Sequence, residues 1–162
     1  MGFDCYVEIT DIPGESADSN HVAWIDVLSV SFGASRPMGA GGRIAGRTEF
    51  ESVTIVKPVD LSSVACYKAL CEGKNLGTVV IHVCRTAGGQ TPYEVVTLTD
   101  AKIADFSQTA NGKGTGATPM PVDTVLLSYG AINFNYVQLD HSTGEEMGSM
   151  EYEFDVNANL EV

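Results

Sequence analysis

Alternation of apolar and polar residues in short segments constrains this sequence most, because a period of two fits a strand with one buried face. The alternation is clearest from Phe3 to Thr10, where every second side chain is apolar. Trp24 to Phe32, which is rich in aromatic and β-branched residues, and Thr48 to Lys57, where the alternation resumes, are also predicted to be strands. Turn residues from Pro13 to Ser16 separate the first two strands.

The second half of the chain continues the strand pattern. Glycines and a proline between Ala87 and Pro92 predict a hairpin, and Gly130 predicts a bend within a long strand. The predicted strands of this half are Thr78 to Thr86, Tyr93 to Asp100, Thr124 to Leu139 and Met150 to Val156.

A single segment has the features of a helix. Asp60 or Ser62 can cap its start, and Gly73 suits its C-terminal stop, so we predict a helix from Ser63 to Gly73. One short helix cannot cover both faces of a sheet and is expected to flank it. The sequence therefore predicts a mainly β protein, an antiparallel barrel or sandwich of about seven or eight strands, as one domain over residues 1–162.

Two glycine-rich segments interrupt the strands. Gly33 to Gly46 holds five glycines and one proline without periodicity, which predicts a long mobile loop, and Thr109 to Pro121 is a second flexible loop. The first segment lacks the third glycine of a G-x-G-x-x-G phosphate loop, because Ile44 stands there and a strand follows. Nucleotide binding is therefore not expected.

The chain is acidic, and its charge is unevenly distributed. A net charge of -12 argues against binding to nucleic acids and anionic membranes. No acid lies between Val27 and Thr48, where Arg36, Arg43 and Arg47 occur. No base follows Gly114. The two regions are either simply solvated or attract each other, and attraction between copies would join different patches and generate rings or filaments. The eight acids after Gly114 are Asp123, Asp140, Glu145, Glu146, Glu151, Glu153, Asp155 and Glu161.

Residues for catalysis or cofactor binding are not evident. The four cysteines form no C-x-x-C pair and have no histidine at metal-ligand spacing, which predicts reduced thiols and a cytosolic folding compartment. His82 within a strand is interpreted as structural, while His21 and His141 are interpreted as solvated. We predict no enzyme activity, no metal and no cofactor. The sequence shows neither a signal peptide nor a membrane span, which predicts a soluble protein.

Several landmarks along the chain together resemble a known family. The most specific are the G-E-S turn at Gly14 to Ser16 and the I-D-V-L-S strand at Ile25 to Ser29, which the glycine-rich loop follows. The strand ending in Lys57 to Ser62, the helix and the later strands match mainly in pattern. From end to end the chain resembles the haemolysin co-regulated (Hcp) family, the tube proteins of bacterial type VI secretion.

The resemblance implies a β-barrel with one flanking helix that assembles into hexameric rings. Such rings stack into a tube inside a contractile sheath and carry effectors to target cells. The expected partners are further copies of the chain, effectors in the lumen, and the sheath and spike proteins. The protein would reside in the bacterial cytoplasm and then be exported without a signal peptide, as the plain tube form without a toxin extension. The alternatives are a phage-type tail tube protein and a monomeric barrel that binds a small ligand in its interior.

The resemblance also gives two sets of residues a role. The glycine-rich loop would reach an adjacent subunit or ring through Arg36, Pro37, Met38, Arg43 and Arg47. Leu28, Ser29 and Ser31 are candidates for the lumen wall, because the serines interrupt an apolar run. The alternation of side chains along the strand does not decide their orientation, so Leu28 could instead lie in the core, with the serines as ordinary strand residues.

Overall fold

The computed structural model describes residues 2–86, 90–112 and 120–161. These residues form antiparallel strands and one α-helix, which confirms the predicted mainly β class. The strands are β1 Phe3–Ile9, β2 Ile25–Val27, β3 Ser29–Ser31, β4 Ala34–Ser35, β5 Glu49–Phe50, β6 Val53–Pro58, β7 Asn75–Arg85, β8 Thr91–Thr109, β9 Val122–Ser128, β10 Ala131–Leu139, β11 Glu146–Asp155 and β12 Leu160–Glu161, and the helix is α1 Ser62–Glu72.

The 19-residue strand β8 organises the main sheet. It pairs with β7, and β9 and β10 run antiparallel to successive parts of it. The predicted strand from Thr124 to Leu139 is thus two strands, which separate at Tyr129 and Gly130 because β9 goes on to pair with β6 while β10 pairs with β11. At this branch the Gly130 N–H donates to Thr99 O at 2.8 Å and the Val156 N–H donates to Gly130 O.

The chain changes its strand partner at Leu28 and so connects β1 on one side of the sheet with β6 on the other. The predicted strand from Trp24 to Phe32 is also two strands, because β2 pairs with β1 whereas β3 pairs with β6. Between them the Leu28 N–H donates to Val56 O at 2.8 Å. The named strands do not form one closed hydrogen-bonded barrel. Their inner faces nevertheless surround a continuous apolar core that includes Val7, Ile81 and Leu98.

Helix α1 begins and ends close to the predicted residues. The Asp60 carboxylate accepts the Ser62 N–H at 2.9 Å, and Gly73 adopts the left-handed conformation, φ 62°, that stops the helix. Tyr67 packs on Phe106 of β8 with ring centroids 5.6 Å apart. In the part of the chain that the structure describes, no helix has the length and apolar character needed to cross a bilayer.

A buried ion-pair network fastens the start of this helix to the sheet. The Lys57 ammonium donates to Asp123 at 2.9 Å, to Asp60 at 2.8 Å and to Ser63 Oγ at 3.1 Å. Asp123 also accepts from Gln108 of β8 at 3.0 Å. The network therefore connects β6, β8, β9 and the first turn of α1, and it satisfies two charges that lie out of water.

Candidate functional site

The glycine-rich segment forms an exposed arm, here defined as residues 36–48. β4 and β5 pair at its base, and an isolated bridge between Met38 and Ile44 continues the hairpin. Gly41 and Gly42 have φ values of 74° and 77° at the tip, which explains why glycines occupy this turn. The segment is a loop, as predicted, and short pairings order part of it although its sequence has no apolar periodicity.

All five predicted contact residues lie in this arm and are exposed: Arg36, Pro37, Met38, Arg43 and Arg47. The Arg36 Nε–H donates to Gly46 O at 3.1 Å within the arm. Among the described residues, the three arginines form no ion pair with a carboxylate. The arm therefore presents three unneutralised positive charges beside the exposed apolar side chains of Met38 and Ile44.

The three candidate lumen residues are also exposed. Leu28 is exposed, so it does not belong to the core. Ser29 and Ser31 point away from the core, whereas Val30 between them is half-buried against it. The structure thus places the three side chains on the surface of the subunit, next to one another along the chain.

An exposed apolar surface that the sequence did not predict lies on the ribbon formed by β10 and β11. Directly opposite residues share a face, so Phe134 lies beside Tyr152, and Tyr136 lies beside Met150. We call these four residues the aromatic face, and all four are exposed. The face continues from the buried Ile132, where the ribbon extends beyond the core. Alternating aromatic residues in β10 and β11 were the available sequence signal.

The opposite face of the ribbon is polar and acidic. Asn135 pairs with Glu151, and Asn133 pairs with Glu153. Glu151 is exposed, as are Glu145 and Glu146 before it, whereas Glu153 is half-buried. One ribbon therefore separates an apolar surface from an acidic surface, and the acidic surface has the charge that complements the arm.

Another exposed apolar surface, which we call the helix patch, lies at the start of helix α1 and is formed by Leu61, Val64 and Tyr67. It lies over the C-terminal part of β8, where Tyr67 meets Phe106. The aromatic face instead belongs to β10, which pairs with β8 between Glu94 and Thr99, and to β11 on the far side of β10. The two apolar surfaces therefore occupy different regions of one subunit.

A small polar cluster lies outside the main core. His21 is 1% exposed, so its interpretation as solvated was wrong. Its ring stacks on Tyr6 with centroids 4.2 Å apart and meets Trp24 edge-on at 4.9 Å. His21 Nε2 lies 3.0 Å from His82 Nδ1, which agrees with the structural interpretation of His82.

Burial controls protonation in this cluster. It lowers the pKa of His82 to about 4, and the nearby His21 contributes to that shift. Burial likewise raises the pKa of the Cys84 thiol to about 12, with a smaller contribution from the Asp18 carboxylate. At neutral pH His82 is therefore an uncharged imidazole and Cys84 a thiol. The spacing of these residues in the sequence did not predict the cluster, because His21 lies 61 residues before His82.

Comparison with known proteins gives one consistent family. The family described as "Type VI secretion system effector, Hcp" matches residues 6–136. The protein hcp1 of Pseudomonas aeruginosa is 27% identical over 166 residues, covering 99% of both chains. A type six secretion system protein of known structure has a TM-score of 0.89 at 23% identity, covering 99% of this chain and 100% of its own. Hcp1 from Salmonella typhimurium has a TM-score of 0.81 at 24% identity, with both chains covered completely. These two structures support the fold.

Proposed function

This chain belongs to the Hcp family of type VI secretion proteins, and from that premise we propose that it forms hexameric rings which stack and carry effectors through their lumen. As a member of that family it is a secreted, self-assembling tube subunit. The observation that carries the proposal is the pair of exposed apolar surfaces, the aromatic face and the helix patch, in different regions of one subunit.

Ring closure follows from joining these two surfaces. A contact between different patches is head-to-tail, so each end of a growing chain of subunits retains one free surface until the last contact closes the ring. In our proposal the aromatic face of one subunit packs on the helix patch of the next. Burial of large exposed side chains such as Tyr152 and Tyr67 supplies the main stabilisation, since aromatic residues dominate interface energetics. The number six is that of the family.

The arm is proposed to connect one ring with the next. Its three arginines have no carboxylate partner among the described residues, while the acidic side of the ribbon has an excess of carboxylates. Opposite charges on two surfaces guide their association and set their register. Leu28, Ser29 and Ser31 would line the lumen, where small polar side chains and one apolar side chain hold an effector weakly. Sheath and spike proteins would contact the outside and the end of the tube.

The packed interior favours the assembly role over the binding of a small ligand inside a barrel. The interior of the sheet is filled by packed apolar side chains, among them Val53, Leu98 and Leu127. Among the described residues, this packing leaves no interior site for the small ligand that a monomeric barrel would bind. The exposed surfaces instead favour protein partners.

Mixing two assembly variants tests the head-to-tail contact. Met150→Glu/Tyr152→Glu alters the aromatic face, and Val64→Glu alters the helix patch. We expect each variant alone to be monomeric, because a glutamate buried in an apolar contact is not compensated. Their mixture should form dimers but no rings, since each variant supplies one intact surface. Light scattering coupled to size exclusion measures the masses.

Val22→Glu is the matched control, because Val22 is an exposed apolar residue outside both surfaces. It should retain the ring mass of the unaltered chain. Rings that persist in both altered variants would refute the proposed contact. A mixture that remains monomeric, although both variants are folded by circular dichroism, would refute its head-to-tail pairing.

Charge reversal tests the arm. Arg36→Glu/Arg43→Glu/Arg47→Glu is expected to leave the ring mass unchanged and to abolish the stacking of rings, because the arm then faces carboxylates with like charge. Electron microscopy at low salt measures the length of the stacks. Adding Glu145→Lys/Glu146→Lys/Glu151→Lys should restore stacking at least in part. Stacks that are as long in the arginine variant as in the unaltered chain would contradict the proposal.

A further inference from the structure

The polar cluster around His21 occupies the outer face of the sheet. Tyr6 and His82 are paired neighbours on β1 and β7, while Val7 and Ile81 beside them face the apolar core. Cys84 follows His82 by two residues and therefore lies on the same face. The segment from Gly14 to Trp24 covers this face, with its backbone bonded to itself by the Gly14 N–H to Ala23 O. His21 belongs to this segment, so the cluster connects the segment with strand β7.

Three metal-ligating atoms converge inside the cluster. His21 Nε2 lies 3.0 Å from His82 Nδ1 and 3.8 Å from Cys84 Sγ. All three atoms lie within 4.8 Å of one another. In tetrahedral zinc sites, bonds of about 2.0–2.1 Å to nitrogen and about 2.3 Å to sulfur place the donor atoms roughly 3.3–3.6 Å apart. The observed distances lie on either side of that range, so small side-chain movements would let one ion reach all three atoms.

A carboxylate already orients one of the three ligands. His21 Nδ1–H donates to Asp18 Oδ2 at 2.7 Å. Because this bond keeps the proton on Nδ1, the lone pair of His21 Nε2 is directed toward His82 and Cys84. A carboxylate behind a ligating histidine is the usual outer partner in metal sites, where it fixes the tautomer and raises the basicity of the ring. Asp18 is therefore a positioning residue for His21.

We propose that His21, His82 and Cys84 bind one transition metal ion that favours imidazole and thiolate ligands, Zn²⁺ or Cu⁺. Two imidazoles and a thiol do not suit Mg²⁺ or Ca²⁺, which take oxygen ligands. On binding, the metal–sulfur bond replaces the S–H bond of Cys84, and the thiol proton leaves to solvent. His82 remains neutral by carrying its proton on Nε2 instead of Nδ1. A fourth position remains on the side of His82, which is the least buried of the three residues.

A bound ion would attach the covering segment to the sheet. His21 belongs to the segment, whereas His82 and Cys84 belong to β7, so the ion would bridge two parts of the chain that ring packing and the hydrogen bond between His21 and His82 already bring together. A ligand that binds the folded state alone stabilises that state in proportion to its affinity and concentration. We therefore expect the melting temperature to rise with the correct metal. The inference is independent of ring assembly.

Metal titration of the full chain tests this site. After dialysis against a chelator and a reductant, Co²⁺ serves as the spectroscopic probe, and a thiolate ligand should give a near-ultraviolet charge-transfer band that saturates at one ion per chain. Competition with a chromophoric chelator then measures the affinity for Zn²⁺ and, under anaerobic reducing conditions, for Cu⁺. The ion that binds more tightly and raises the melting temperature more is the one that the site favours.

Substitutions identify the ligands. Cys84→Ser should abolish the charge-transfer band, and His82→Asn should weaken binding by at least about 100-fold, more than the roughly 10–100-fold loss expected for Asp18→Asn. Cys71→Ser and His141→Asn are the matched controls, because both residues are exposed and neither belongs to the cluster, and they should leave binding unchanged. Circular dichroism verifies that each variant is folded.

Two results would overturn the proposal. The first is the absence of one-to-one binding by Zn²⁺ and by Cu⁺ in the folded, reduced chain. The second is a thiolate band that survives in Cys84→Ser or disappears in Cys71→Ser. Neither result would alter the expected ring mass, so failure of the metal site is distinguishable from failure of the proposed assembly.

Discussion

Replacement of Lys57 by methionine is expected to lower the free energy of unfolding by about 3–5 kcal/mol, because it leaves Asp123 buried without its cation. Lys57 is 1% exposed and Asp123 is 0% exposed, so water cannot take over the lost interaction. Chemical denaturation measures the change. The Met150→Glu/Tyr152→Glu background is the suitable one, since assembly would otherwise make apparent stability depend on concentration.

Lys68→Met is the matched control for this prediction. Lys68 also pairs with a carboxylate, Glu72, but it is 73% exposed and the pair is 3.9 Å apart, so we expect a change of no more than about 1 kcal/mol. The double variant Lys57→Met/Asp123→Leu removes both charges and should recover much of the lost stability, because position 123 then no longer holds a buried carboxylate without its cation. If Lys57→Met proved no more destabilising than Lys68→Met, the network would not hold the helix to the sheet as described.

Replacement of Gly14 by alanine is expected to lower the free energy of unfolding by about 3 kcal/mol or more, the upper end of the usual cost of overpacking. A Cβ atom at this position would lie 2.6 Å from Ile25 Cα and 2.7 Å from Ile25 N, and it would also clash with Trp24 O. These are backbone atoms of the adjoining strand, so no side-chain rotation relieves the contact. For a chain of this size the loss corresponds to a fall in melting temperature of roughly 6–12 °C.

Gly148→Ala is the control for Gly14. A Cβ atom at Gly148 would meet nothing within 4 Å, and its φ is not in the left-handed region. We expect this substitution to be neutral or slightly stabilising, because alanine restricts the unfolded chain more than glycine does. Equal melting temperatures for the two alanine variants would show that the backbone crossing at Gly14 can relax.

The crossing at Gly14 gives the G-E-S turn a physical explanation. The Ser16 N–H donates to Trp24 O, and the Ala23 N–H donates back to Ser16 O, so the segment folds over the edge where β2 begins. Glycine is required where two backbone segments approach so closely. The same turn places His21 over β7, which connects this motif with the cluster proposed to bind metal.

Local chemistry in the sequence was sufficient to predict many elements. Period-two alternation predicted β1, and capping by Asp60 with a stop at Gly73 predicted α1 within one residue at each end. The mainly antiparallel class and the family also followed from the order of these elements and from the turn motifs. These features depend on neighbouring residues, so they can be read without knowledge of the fold.

The positions at which strands change partners could not be predicted in the same way. Leu28 lies inside a continuous strand pattern and Gly130 at a bend predicted within one strand, yet at each the chain leaves one neighbour for another. The choice of partner depends on residues far away in the sequence, and a local pattern of apolar residues contains no information about it. The tip of the Ala87 to Pro92 hairpin, at residues 87–89, and most of the Thr109 to Pro121 loop, at residues 113–119, lie outside the described residues.

The sequence by itself determined where most of the strand-forming segments lie, where the helix lies, and where positive and negative charges are concentrated. Only the tertiary structure decided which exposed side chains share a surface and which buried ones meet. His21, His82 and Cys84 meet because the loop after β1 folds onto the outer face of β7, and the aromatic face forms because β10 and β11 extend beyond the core. Both depend on long-range packing, where the hydrophobic effect acts on the whole chain and not on one segment.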